Sequence, residues 1–133
     1  MDTLAWLDSS PPQRKPIEES FAEISRFVDD HQSWVIEGCY SDLLNLAMKT
    51  ADKLIFLNPG VETCMDNCRS RPFEPQKYES QKAQDKNLEM LLNWVRQYPD
   101  RVDEFSLMSH QKLFNEFTGN KTEYLSNKRD VLL

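Results

Sequence analysis

Apolar residues recur along much of the chain with the 3.6-residue period of amphipathic helices. In the clearest case, Ile17, Phe21 and Ile24 share one face of a predicted helix over residues 16–31. Pro16 stands at its start, where the missing N–H of proline costs little. Helices are also predicted over residues 42–49, 61–71, 81–98 and 106–117, the last with Ser106 as its N-cap.

Three short apolar runs predict β-strands, because their apolar residues are consecutive instead of helically spaced. The clearest is KLIFLNPG, residues 53–60, which is typical of a buried strand closed by a turn. DTLAWL (residues 2–7, before a turn cluster at 8–12) and residues 34–36, before Gly38, are shorter candidates. Strands that alternate with helices predict an α/β fold with a small parallel sheet flanked by helices.

Length and charge limit the number of domains and the kinds of partner. A chain of 133 residues forms one domain that buries roughly 68% of its unfolded surface, and we expect that domain over residues 1–126 and a tail over 127–133. With 22 acidic against 16 basic residues, the net charge of −6 repels phosphate backbones and anionic lipid. We therefore expect neither nucleic acid nor a membrane as partner. No secretion signal opens the chain, so a cytoplasmic location is expected.

Cysteine and histidine usage gives little support to a metal or disulfide site. The three cysteines, Cys39, Cys64 and Cys68, are an odd number, which argues against a disulfide framework. The two histidines, His31 and His110, belong to no paired motif, and a zinc site needs about four ligands at recognisable spacing. We expect no metal ligands among them.

Two short stretches carry candidate chemistry. Glu37 and Gly38 follow a predicted strand, and ligands of parallel sheets bind beyond the carboxyl ends of the strands. The carboxylate could hold a metal-bound water, or the pair could be a capping acid and a turn glycine. Arg69 and Arg71 end a predicted helix, where they could clamp phosphoryl oxygens or complement the helix dipole. Asp2 could accept hydrogen bonds from a hydroxylated substrate, or be a solvated terminal residue.

The order of these segments resembles the P-loop kinase-like ATPases of the adenylate kinase and shikimate kinase type. Residues 2–7 look like the family's second strand. WVIEGCYS, residues 34–41, looks like its third strand and the Asp-Gly-x-Tyr-Ser turn that follows it, with Glu37 in place of the aspartate. ADKLIFLNPG, residues 51–60, looks like the fourth strand, and CRSRP, residues 68–72, is similar to the start of the lid. The resemblance covers about residues 1–125 and implies an incomplete P-loop NTPase-like three-layer fold.

The resemblance also implies ATP and magnesium as cofactors and a small-molecule phosphate acceptor as partner. A carboxylate at the end of the third strand would orient magnesium, and the segment over residues 72–81, expected to be mobile, would close as a lid. The implied site residues are Arg69 and Arg71 for catalysis, Glu37 and Gly38 for the cofactor, and Asp2 and Tyr40 for the substrate.

The chain departs from the family at the phosphate-binding loop. No G-x-x-x-x-G-K-[ST] sequence occurs among its three glycines, and that loop supplies the donors, the lysine and the magnesium-binding hydroxyl for phosphoryl transfer. The resemblance therefore implies a truncated product, an alternative start or a degenerate relative, with little or no turnover. The family's central strand is missing too, which would leave the predicted strands at residues 34–36 and 53–60 with unpaired inner edges or make them pair directly.

Two function classes follow from the sequence. The first is a P-loop NTPase or small-molecule kinase by descent, inactive as this chain. The second is a non-catalytic module for protein interaction or oligomerisation, which would use apolar helix faces and any exposed strand edge. A glycine-rich phosphate loop encoded upstream would favour the first, and a stable oligomer that ignores nucleotide would favour the second.

Overall fold

The computed structural model describes residues 1–7 and 13–128, over which helices and two strands follow one another. Their order is α1 (Asp2–Ala5), α2 (Ile17–Asp30), α3 (Ser41–Ala47), β1 (Lys53–Leu57), α4 (Val61–Arg69), α5 (Gln81–Arg96), α6 (Leu107–Glu116) and β2 (Asn120–Tyr124). The predicted turn cluster at residues 8–12 and most of the predicted tail, residues 129–133, lie outside the described residues.

The first three helices enclose the main apolar core. Its buried members come from α1, α2, α3 and the residue before α3, and they are Ala5, Ile24, Tyr40, Leu43 and Ala47. The predicted amphipathic helix at residues 16–31 is confirmed as α2, which begins one residue after Pro16. The fully buried hydroxyl of Ser20 on α2 donates to the carbonyl oxygen of Leu4 at 2.6 Å, which fixes α1 against α2.

A two-stranded parallel sheet forms the second part of the fold, and it confirms the predicted α/β class. The strand predicted at residues 53–60 is present as β1, but it pairs with β2, with Ile55 opposite Thr122. Phe56 packs against α6, with its ring centroid 5.9 Å from that of Phe114. β1 is half-buried and both of its ends are exposed, so the expectation of a buried strand was wrong.

The structure corrects the other two predicted strands. Residues 2–5 form the short helix α1, and only Trp6 makes a strand-like contact, an antiparallel bridge to Arg14. Residues 34–36 pair with no strand in the described part of the chain. Helix-favouring leucine and alanine in residues 2–5, and a run of only three residues at 34–36, explain both errors.

The remaining helices follow the sequence pattern closely. α4 and α5 pack against each other, with Met65 and Leu92 buried. Two cap side chains start the later helices: Ser80 Oγ accepts from the Ala83 N–H at 3.1 Å, and Ser106 Oγ accepts from the Ser109 N–H at 3.0 Å. Past β2, the side-chain amides of Asn127 and Asn67 exchange two hydrogen bonds, so the chain is tied to α4 at Asn127.

Candidate functional site

The two residues predicted to contact a substrate, Asp2 and Tyr40, lie in direct contact. The hydroxyl of Tyr40 donates to Asp2 Oδ1 at 2.8 Å and accepts from Trp6 Nε1 at 2.8 Å. Burial raises the pKa of Tyr40 to about 12, so the phenol keeps its proton near neutral pH and remains a donor. Each polar atom of this chain of hydrogen bonds therefore has a partner within the protein.

Arg14 joins this group to two further carboxylates, and sequence reasoning missed it. Its guanidinium lies 3.2 Å from Asp42 Oδ2 and 3.2 Å from Glu104 Oε1, and its Nε donates to the carbonyl oxygen of Ala5. It also stacks over the Tyr40 ring at 5.1 Å. We call these residues the N-terminal polar cluster: Asp2, Trp6, Arg14, Tyr40, Asp42 and Glu104. Arg14 is recognisable only in the folded chain, because its partners Asp42 and Glu104 lie 28 and 90 positions later in the sequence.

The predicted cofactor residues lie on the exposed turn before α3. Glu37 and Gly38 are both exposed, and within the described ranges the Glu37 carboxylate forms no ion pair. A Cβ at Gly38 would lie 2.9 Å from the sulfur of Met1 and 3.0 Å from its Cβ, so any other residue would force the Met1 side chain to shift. This contact gives Gly38 a packing role beside α1.

His110 anchors the next residue of the same turn. Its Nε2 lies 2.7 Å from the carbonyl oxygen of Cys39, and its Nδ1 lies 2.8 Å from the hydroxyl of Tyr98. A carbonyl only accepts, so the ring donates from Nε2 to Cys39. Burial raises the pKa of both the Tyr98 hydroxyl and the Cys39 thiol. The arrangement fixes α6 to the turn, and it leaves the thiol protonated instead of activated.

The two arginines predicted to be catalytic lie apart from this cluster, at the end of α4. Arg69 is exposed and pairs with Asp66 at 3.0 Å, three residues earlier on the same helix. The Arg71 side chain is exposed as well, and no ion pair of it occurs among the described residues. The structure brings Asp2 and Tyr40 together, but it records no contact of either arginine with them in residues 1–7 and 13–128.

The connection after α4 is held to α5 over part of its length. The side-chain amide of Gln84 accepts from the Glu74 N–H at 2.8 Å and donates to the carbonyl oxygen of Pro72 at 3.0 Å. The hydroxyl of Tyr78 accepts from Asn87 at 2.9 Å. The segment predicted as a lid is therefore fastened to the helix that follows it.

The outer edge of β1 presents backbone groups without partners. The Asn58 N–H donates to the carbonyl oxygen of Tyr124 at 2.8 Å, which shows that the backbone groups of Asn58 point toward β2. Backbone N–H and C=O groups alternate between the two edges of a strand. The backbone groups of Leu54 and Phe56 therefore point toward β2, whereas those of Lys53, Ile55 and Leu57 point away from it. In the part of the chain that the structure describes, no hydrogen bond reaches those outward groups.

Neither a metal centre nor a membrane span is visible in the described residues. Among them, no three His, Cys, Asp or Glu side chains are grouped so that they could hold a metal ion. Within the same residues, no helix combines the length and the apolar character needed to cross a bilayer. Comparison of this chain with protein-family models, with curated proteins and with solved structures finds no match.

Proposed function

We propose that this chain acts as a non-catalytic association module, which binds another polypeptide by adding a strand to the outer edge of β1. The observation that carries the proposal is the row of unpartnered backbone groups at Lys53, Ile55 and Leu57. An unpaired strand edge is a template for another chain, because main-chain hydrogen bonds supply affinity along its whole length.

The side chains of the two strands favour the edge of β1 over that of β2. β1 reads KLIFL and has one charged residue, at its first position. β2 reads NKTEY, and two of its central residues, Lys121 and Glu123, are charged. Charged side chains on an edge strand oppose edge-to-edge pairing, so β2 is protected in a way that β1 is not.

The arrangement of the candidate site supports a role without catalysis. The Tyr40 hydroxyl is occupied by Asp2 and Trp6, and Arg14 by Asp42 and Glu104. Because these side chains already form hydrogen bonds and ion pairs with one another, they hold the helices together and are not free to bind a ligand. All three cysteines lie in the described part and are free thiols, which fits association in the cytoplasm.

Photo-crosslinking in the cells that make the protein tests this proposal. A photoreactive amino acid replaces Leu57, whose side chain is 46% exposed at the end of β1. The matched control carries the same group at Met90, which is exposed on α5, away from the sheet. We expect a discrete crosslinked product from position 57 and none from position 90. Absence of a product at position 57, or equal products at both positions, contradicts the proposal.

A second candidate is nucleotide-dependent phosphotransfer by descent from the P-loop kinase-like family. The observation that favours it is the contact between Asp2 and Tyr40 at 2.8 Å, since the resemblance implies an acceptor side for both. Glu37 would then orient magnesium, and Arg69 and Arg71 would bind the phosphates of ATP.

The thermal unfolding midpoint with and without magnesium-ATP tests the second candidate. Ligand at about 100 times its dissociation constant adds roughly 2.7 kcal/mol, which raises the midpoint of a domain of this size by several degrees. A rise would support a surviving phosphate site. A cooperative transition without a shift would exclude it.

A further inference from the structure

We infer that the strand added to β1 is β1 of a second copy of this chain, antiparallel and centred on Ile55. The inference rests on the proposed function, since it uses the same unpaired edge. It names the partner, the direction of the strand and the register, none of which the proposed function specifies.

The backbone groups of the edge match a two-fold axis at Ile55. The outward groups belong to Lys53, Ile55 and Leu57, which are spaced evenly about the central residue. In an antiparallel pair, residues that face each other across hydrogen bonds exchange both N–H···O contacts. Ile55 would exchange two with Ile55 of the second copy, and Lys53 and Leu57 would exchange two more at each end. The antiparallel arrangement therefore satisfies every outward group at these three positions.

The backbone geometry distinguishes antiparallel from parallel pairing. In the antiparallel register, Lys53 lies opposite the apolar Leu57 of the second copy, and Asp52 lies opposite its Asn58. Parallel pairing through the same edge of both copies is shifted by one residue, because in a parallel ladder a residue whose backbone groups face the partner lies opposite one whose groups face away, as Leu54 lies opposite Lys121. That shift removes the two-fold symmetry, and it does not place Lys53 opposite Leu57. Two identical edges therefore favour the antiparallel arrangement, which pairs them with an exact two-fold axis.

The assembly would close after two copies. Pairing β1 with β1 gives a four-stranded sheet in the order β2, β1, β1, β2, and its two outer edges are those of β2. Those edges carry Lys121 and Glu123, which oppose further strand addition. A two-fold contact uses the same surface on both copies and leaves no unsatisfied binding edge. We therefore expect a dimer and no larger polymer.

Two substitutions that place opposite charges at position 57 test the register. Leu57→Lys places a lysine opposite Lys53 of the second copy at both ends of the paired strands, whereas Leu57→Glu places a carboxylate there. We expect sedimentation equilibrium to show dimerisation by the unaltered chain, and dissociation constants of the two variants that differ roughly tenfold, with Leu57→Glu the tighter. Adding Lys53→Glu to Leu57→Lys restores opposite charges, and dimerisation should recover.

As a control for fold stability, each variant is unfolded at the lowest protein concentration, where the chain is monomeric. Equal weakening by Leu57→Lys and Leu57→Glu overturns the antiparallel register, because parallel pairing places position 57 opposite Phe56 or Asn58 of the second copy and not opposite Lys53. A chain that stays monomeric at every concentration overturns the dimer. If the photoreactive group at position 57 then crosslinks to a different protein, the association module stands without the dimer. If it crosslinks to nothing, both proposals fail.

Discussion

At the scale of single residues, Tyr40 connects the N-terminal segment to α3. Its ring is buried in the main core, and its hydroxyl bridges Trp6 and Asp2. The ring also meets Phe105 edge-on, with centroids 5.3 Å apart. One side chain thus joins three segments that are distant in sequence.

The ionisation of Tyr40 predicts a loss of stability at alkaline pH. Burial raises its pKa from 10.0 to about 12 in the folded protein, so the unfolded chain releases this proton at lower pH. The contribution is complete below about pH 10 and is lost as the pH rises toward the folded value. Urea unfolding of the unaltered chain and of Tyr40→Phe at about pH 9 and about pH 11 measures it.

Tyr40→Phe should reduce the alkaline loss without abolishing it, because burial also raises the pKa of Tyr98. At neutral pH the variant should lose about 1 kcal/mol of unfolding free energy, since Trp6 Nε1 and Asp2 lose their shared partner. Equal pH dependence in both proteins would show that Tyr40 does not ionise at a raised pKa.

Arg69 and Arg71 lie where little stability depends on them. The Arg69 side chain is 45% exposed, and its partner Asp66 is 73% exposed, so their ion pair contributes little in water. We expect Arg69→Ala and Arg71→Ala each to change the free energy of unfolding by less than about 0.5 kcal/mol. Thermal unfolding with and without magnesium-ATP provides the measurement. A nucleotide-induced shift in the unaltered chain that both substitutions remove would favour the phosphotransfer candidate.

Most of the candidate site depends on contacts that the sequence does not reveal. The resemblance implied a substrate role for Asp2 and Tyr40; the two side chains lie in contact, and the substrate role stays a prediction. Arg14 and Glu104 were missed because no local pattern marks them, and their pairing spans 90 residues. His110 was noted without a partner, since its contacts with Cys39 and Tyr98 exist only after α6 packs against the turn.

At the scale of elements, local signals explain which predictions held. The helical periodicity of residues 16–31, 81–98 and 106–117 extends over several turns, and the corresponding helices α2, α5 and α6 are present. β2 was missed because NKTEY is polar and lacks a clear alternation of apolar residues. Its place in the sheet is set by pairing with β1, a long-range contact that short sequence windows do not contain.

The two serine caps predict a graded effect on stability. Ser106 is fully buried and caps α6, while the exposed Ser80 caps α5 with nearly the same geometry. Replacement of a serine cap by alanine costs about 0.5–2 kcal/mol. We expect Ser106→Ala to lie at the upper end of that range and Ser80→Ala at the lower end, because water can replace the cap at the exposed site. Chemical denaturation of both variants measures the difference, and the reverse order would contradict this reading.

At the scale of the whole molecule, the sheet is the least complete part of the fold. Parallel sheets are usually covered on both faces and contain more than two strands, whereas the described residues form one pair with β1 at an edge. The resemblance led us to expect either unpaired inner edges or direct pairing between the strands predicted at residues 34–36 and 53–60. Neither arrangement is present, because residues 34–36 form no strand. β1 pairs with β2, its other edge is unpaired within the described residues, and association is the means we propose to satisfy that edge.

Residue-resolved amide hydrogen exchange tests this account most directly. The N–H groups of Leu54 and Phe56 face β2, whereas those of Ile55 and Leu57 face the outer edge. We expect the inner amides to be protected at every protein concentration, and the outer amides to become protected only as the concentration rises and copies associate. Outer amides that exchange rapidly at every concentration, or that are already protected in the monomer, would contradict strand addition at β1.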